Sequence, residues 1–377
     1  MFISAIAVFT AASVGCGLSE SMSMLVTMRV LQGVGGAMMV PVGRLAVLRY
    51  SAKSDLVRAI ALLTWPALTA PVVAPVLGGT IATLGSWRWI FFVNIPIGVA
   101  GLFLALKLIR GGPAPAVPPF DWRGQLLLGT GIAAALVALE QIRVSGTDWL
   151  VVGIGCGSAV GLLAAAILHL RRTPVPLVRL SVLRVRSLRI TVSAGSLYRL
   201  VIATVPFLLP LLFQLEFGWS ALSAGSMVAA LFIGNLTIKP LTTPLMRRFG
   251  IKRVLLVNAI VSVGWFGVLA ALQPGTPVAV IAVALYVSGA LRSIGFTAYN
   301  SLAFADVDGD ELTHANTLNA TVQELASGVG IAIAALLLTV LASYAWTFLA
   351  LGALLALTLA ETLRLPGDAG AHVSGKR

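Results

Sequence analysis

Charge is scarce in this sequence. Only 10% of its 377 residues are Asp, Glu, Lys or Arg, where soluble domains carry about 25%. That deficit excludes a chain folded in water, and 58% hydrophobic residues with a mean hydropathy of +0.99 point to lipid as the solvent. Acids are scarcer still, 13 against 26 Lys and Arg, for a formal net charge of +13. The two cysteines, Cys16 and Cys156, lie inside apolar runs, which excludes a disulfide framework and makes them packing residues. His169, His314 and His372 stand far apart, with no Cys/His cluster at metal-ligand spacing, so no metal and no other cofactor is expected. Serines lack a nucleophile-elbow context, and the glycine-rich segments lie in apolar runs without a phosphate-loop pattern. The chain is therefore not read as an enzyme, and any work it does must draw on an ion gradient.

What fills the chain is a succession of apolar runs, each near the roughly 20 helical residues needed to cross a ~30 Å hydrocarbon core. Lipid offers the backbone no hydrogen bonds, so only helices or closed barrels cross it, and unbroken Leu, Ala and Val runs argue for helices. The fold class is an all-α polytopic transmembrane bundle of about twelve spans: 1–18, 23–48, 56–84, 87–108, 123–142, 148–169, 188–213, 221–246, 252–272, 276–300, 314–341 and 344–363. Every second connection is basic, as in Arg49, Lys53 and Arg58, in Lys107, Arg110 and Arg123, in Arg171 to Arg189, and in Arg247, Arg248, Lys252 and Arg253. Basic short loops stay in the cytoplasm. The C-terminus is therefore placed inside, in an inner or plasma membrane. Charges spread over helix ends fit topology and anionic headgroups, and no nucleic-acid partner is expected.

Against this background Arg29 stands out. It heads "RVLQGVGGA" (29–37), about 9 Å into the second span at 1.5 Å per residue. An intramembrane charge normally faces a bundle interior or a wet cavity. Gln32 shares its face, and Gly33, Gly35 and Gly36 allow another helix or a ligand to approach. Further on, Pro71 and Pro75 each remove a backbone donor and bend their helix, while Gly78 and Gly79 strip bulk from its outer half. Such a face suits two halves that seal and separate on one side.

These segments carry a family resemblance. "RVLQGVGGA" resembles the fourth-helix signature of major facilitator superfamily proton-coupled transporters. "APVVAPVLGGTIATLGSWRWIFFVNIPIG" (70–98) is similar to the antiporter motif of the fourteen-helix drug:proton antiporter family, and "PFDWRGQLLL" (119–128) to the entry of its central helix pair. "GALRSIGFTAYNSLAFADV" (289–307) and "ANTLNATVQELASGVGIAIA" (315–334) resemble its twelfth and thirteenth helices. The family pattern starts with two more helices, so residue 1 falls at its third, and the resemblance implies altered activity through the loss of a first-helix carboxylate. The implied organisation is a partial N-terminal bundle (1–110), a central pair (111–172), a basic linker (173–187), a C-terminal six-helix bundle (188–365) and a tail (366–377).

Depth arithmetic singles out the C-terminal half. Arg292 lies eight residues before Asn300 and Glu324 eight after Asn316, each about 12 Å from the inner boundary, so the two can pair. Lys239 and Arg199 lie at similar depth, where secondary transporters hold substrates and coupling ions. Asn316, Ala320, Gln323, Ser327 and Gly330 recur at helical spacing as a polar, small stripe. The proposed proton and substrate pathway is Arg29, Gln32, Arg199, Lys239, Arg292, Asn319, Gln323 and Glu324, with Glu324 as proton site; the conformational residues are Gly33, Pro71, Pro75, Gly78 and Gly79. The expected partners are a small molecule, protons and the bilayer. The alternative is a non-transporting membrane protein, either a degenerate fragment or one that binds a partner helix.

Overall fold

The structure, a computed structural model, describes residues 2–50, 56–108, 120–142, 149–308 and 311–366. Lys53, Arg110, Asp310 and the tail with His372 lie outside the described residues. Among those described there is no strand. The helices are α1 (Phe2–Gly17), α2 (Met22–Tyr50), α3 (Leu56–Leu84), α4 (Trp89–Phe92), α5 (Asn94–Leu108), α6 (Trp122–Ile142) and α7 (Trp149–Arg172). There follow α8 (Arg186–Ile190), α9 (Ser196–Leu211), α10 (Ala221–Thr237), α11 (Lys239–Phe249), α12 (Ile251–Ala270), α13 (Val278–Ala303), α14 (Leu312–Leu341) and α15 (Tyr344–Leu363). Short helices join their neighbours (α4 with α5, α8 with α9 across a π-helical turn, α10 with α11), which leaves twelve helical segments among the described residues. Seven of these are long and apolar enough to span a membrane, and the α10–α11 pair, bent by 46°, makes an eighth.

The chain divides into two compact units, residues 1–117 with 219–229, and 118–218 with 230–377, so that the division passes through α10. In the first unit, α1 packs along α2 and α5. In the second, α6 pairs with α7 and rests on α14, while α12 packs on α13 and α15. Backbone economy inside lipid is visible in the hydroxyls. Ser13, Thr80, Thr83 and Thr362 each donate to the carbonyl four residues back, which satisfies a polar group within its own helix. Helices end where chemistry ends them: Gly250 takes φ +83° between α11 and α12, a left-handed turn that favours glycine. Ser343 caps α15 by accepting from Trp346 N–H.

The basic linker is anchored. Val182 and Leu188 are fully buried with Ala303 and Ala315, so the segment ahead of α8 packs against the ends of α13 and α14.

Candidate functional site

Within the second unit, Arg199 (α9), Lys239 (the α10–α11 junction), Arg292 (α13) and Glu324 (α14) each lie near the middle of a long helical segment. Arg199 Nε donates to Ser327 Oγ at 2.8 Å, its Nη2 stands 3.8 Å from Glu324 Oε1, and its guanidinium lies 4.7 Å over the Phe296 ring. Ser327 and Glu324 are three residues apart on α14 and so present both acceptors on one face. Equal depth suggested Arg292 as the partner of Glu324, and here the structure corrects the sequence. Depth along two helices does not fix their rotation, and α14 packs along α9. Arg292 instead donates to the Ile202 carbonyl at 3.3 Å, with its guanidinium 5.8 Å from the Phe232 ring.

Burial separates the members of the pair. The Arg199 side chain is 20% exposed and that of Glu324 79%. A carboxylate at the middle of a spanning helix is costly in hydrocarbon. Gln323 Nε2 donates to Asn300 Oδ1 at 3.1 Å, and Lys239 Nζ to Thr297 Oγ1 at 3.1 Å. One face of α13, through Phe296, Thr297 and Asn300, thus meets Arg199, Lys239 and Gln323. The sequence reading did not assign this face to the site, although its signal was two polar residues at i and i+3 in an apolar helix. Nor did it foresee the bend beside Lys239, where Pro240 lacks the N–H a straight helix needs.

The α14 stripe is not uniform. Asn316 and Ala320 are exposed and Gln323 and Ser327 half-buried, whereas at Gly330 a Cβ would lie 2.2 Å from the Leu200 carbonyl oxygen, so that end is a helix contact. Asn319 is buried, its Oδ1 without a hydrogen-bond partner among the described residues. Beside Arg292, Tyr198 donates to the Leu291 carbonyl at 2.9 Å and accepts from Asn258 Nδ2 at 3.1 Å. Tyr198, Leu291 and Arg292 line a cavity of about 20 Å³, room for one water.

In the first unit, Arg29 Nη1 donates to Gln32 Oε1 at 3.0 Å and Gln32 Nε2 to Ser13 Oγ at 2.7 Å, with Phe91 4.8 Å beneath the guanidinium. Gln32 is buried; Arg29 is exposed. Of the glycines in that motif, Gly35 packs against the α1 backbone, a Cβ there lying 2.7 Å from Phe9 N, while Gly33 has nothing within 4 Å. The helix α3 runs unbroken through Pro71 and Pro75. Its two adjacent glycines differ: a Cβ at Gly79 would lie 2.5 Å from the Ala221 carbonyl oxygen, and one at Gly78 would meet nothing within 4 Å. Reciprocally, a Cβ at Gly225 would lie 2.2 Å from the Pro75 carbonyl oxygen. Among the described residues no three His, Cys, Asp or Glu side chains gather to hold a metal.

A multi-pass helical protein with cations, amides and one open carboxylate at the middle of its spans falls in the class of polytopic membrane transporters. The Major Facilitator Superfamily family model matches residues 1–331, and the chain belongs to that superfamily, whose members transport small molecules and are not enzymes. It is 30% identical over 397 residues to MdtD of Klebsiella pneumoniae (strain 342), covering 100% of this chain and 83% of that protein. Against MdtD of Cronobacter sakazakii it is 31% identical over 391 residues, covering 98% and 81%. Both relatives are assigned by name to multidrug resistance. Among solved structures, a POT family transporter in complex with 5-aminolevulinic acid superposes with a TM-score of 0.67 at 16% identity, covering 98% of this chain and 81% of that one. An inward-facing bacterial homolog of the lysosomal transporter Spinster gives 0.58 at 14%, covering 100% and 83%. Both show a shared fold.

Proposed function

We propose that the chain is a proton-coupled antiporter that exports small amphipathic compounds, drugs among them, across the inner or plasma membrane by alternating access, with its C-terminus in the cytoplasm. The observation that carries the reading is the loose pairing at the middle of α9 and α14. The Glu324 side chain is 79% exposed yet within 3.8 Å of a guanidinium that has a second acceptor in Ser327. A proton on Glu324 leaves Arg199 held by Ser327 and Phe296; loss of that proton restores the ion pair or leaves a carboxylate for a cationic substrate. Proton and substrate then compete for one group, which is what exchange requires. Lys239, Arg292, Asn319 and Gln323 complete the pathway in this half, and Arg29 with Gln32 supplies it in the other. Gly79, with Pro71 and Pro75, serves the conformational change, whereas Gly33 and Gly78, where a Cβ would meet nothing within 4 Å, accept a methyl without affecting it. The names of the relatives support multidrug export.

The test is proton release from the purified chain in weakly buffered detergent on adding lipophilic cations, anions and zwitterions, beside Glu324→Gln. Release triggered by a cation and absent in the variant is expected. Release that persists in Glu324→Gln, or no release from folded protein, refutes the assignment.

A further inference from the structure

The second unit holds a larger crevice away from the polar site. Its volume is about 500 Å³, and it lies among α11, α12 and α13 with Val254, Val257, Val261, Leu291 and Ile294 on its walls and Arg253 on its rim. The flank is open, since Val257 is 60% exposed and Val261 42%. From Arg253 to Val261 is eight residues, about 12 Å along the helix, most of the ~15 Å that one leaflet contributes to the hydrocarbon core. The walls are apolar over that depth except at Asn258, which is buried and donates from Nδ2 to Tyr198. At the rim the chemistry changes abruptly: Arg253 occupies the first turn of α12, and Arg247 and Arg248 the last turn of α11, all exposed. Neither the Arg253 nor the Arg247 side chain has a hydrogen bond or ion pair among the described residues. Lys252, by contrast, is committed to the carbonyls of Leu363 and Leu365.

We infer that this crevice is a binding site for an anionic phospholipid of the leaflet at the basic helix ends, its acyl chain against Val254, Val257, Val261 and Ile294 and its phosphodiester on Arg253. An apolar slot one leaflet deep takes a hydrocarbon chain; free guanidinium groups at its mouth select a net negative headgroup over a zwitterionic one, which brings its own cation. A soluble anion would use the arginines and leave the slot unused, and a neutral lipid would use the slot and leave the arginines unpaired. Only an anionic lipid satisfies both.

The experiment is native mass spectrometry of the full chain extracted from vesicles of equal parts phosphatidylglycerol and phosphatidylcholine. One phosphatidylglycerol retained in preference to phosphatidylcholine is expected. Arg253→Gln is expected to cut that preference about fivefold, the factor one basic residue near an anionic surface is worth, and Arg253→Lys to keep it. Val257→Trp, which fills the slot and leaves the arginines in place, is expected to reduce retention too, with thermal unfolding of each variant confirming that it folds. Equal retention of both lipids, a preference untouched by Arg253→Gln, or a preference untouched by Val257→Trp would each overturn the site. Displacement of the lipid by glycerol 3-phosphate would overturn it as well, by assigning the arginines to a soluble anion. The readout is lipid retention, so it stands apart from proton coupling.

Discussion

Two adjacent glycines give the most discriminating perturbation. Gly78→Ala and Gly79→Ala make the same chemical change one residue apart in α3, and helix propensity favours both by about 1 kcal/mol. At Gly79 the new methyl would sit 2.5 Å from the Ala221 carbonyl oxygen and 3.0 Å from the α-carbon of Leu222. Backbone on a packed helix cannot step aside as a flexible side chain would. Overpacking of this kind costs about 1–3 kcal/mol, a factor of roughly 5 to 150 at 1.4 kcal/mol per tenfold. At Gly78 there is nothing within 4 Å to oppose the methyl. If the α3–α10 crossing is a state that the transport cycle must visit, Gly79→Ala lowers its population by that factor. The assay is substrate efflux from proteoliposomes with the passive proton leak measured in parallel. The expected outcome is slower exchange and greater leak for Gly79→Ala, with Gly78→Ala near wild type. Gly225→Ala, whose methyl would meet the Pro75 carbonyl, is expected to reproduce the effect and to add little to Gly79→Ala, because both act on one crossing. Indistinguishable rates for the Gly78 and Gly79 variants would refute the reasoning.

Other sites make separate predictions. Asp121, just ahead of α6, is disfavoured as an anion by burial, but hydrogen bonds from Gly124 N–H, His169 and Leu177 N–H, together with the charge of His169, outweigh burial and hold its carboxyl below the ordinary range. A depressed folded-state value means its stabilisation is complete above the unfolded value near 4 and is lost as pH falls through the folded one. Asp121→Asn is therefore expected to cost about 1.5–3 kcal/mol at pH 7, with the gap to wild type in thermal unfolding closing below pH 4. Tyr198→Phe deletes the donor to the Leu291 carbonyl and strands Asn258 Nδ2, a loss of about 1–3 kcal/mol that calorimetry would detect. Gln32→Leu cuts the link between Arg29 and Ser13; transport rate is expected to fall while the stability of the first unit, read by hydrogen exchange, changes by no more than about 1–3 kcal/mol.

What the sequence disclosed and what it withheld follow from the same physics. Spans are legible because hydrocarbon tolerates no unpaired backbone, so apolar length alone marks a helix, and the twelve helical segments among the described residues fall on the twelve apolar runs. Depth is legible too, since 1.5 Å per residue places Arg199, Arg292 and Glu324 at one level without any structure. Rotation is not. Which of two arginines at equal depth meets Glu324 depends on how α9, α13 and α14 turn their faces, and that is decided by small residues such as Gly330 against the Leu200 carbonyl. The same limit explains the glycine motifs. Gly33 and Gly35, or Gly78 and Gly79, are alike in sequence but differ by about 200° and about 100° around the helix at 3.6 residues per turn, so one member of each pair packs on backbone and the other on nothing. Only the neighbouring helix says which positions of a glycine pair accept a methyl, and at Gly15 and Gly17, where a Cβ would lie under 3 Å from Met28 and Phe92, neither is open. The charges that matter are those whose partners come from another helix, as Arg199 finds Ser327 and Glu324 across the α9–α14 contact.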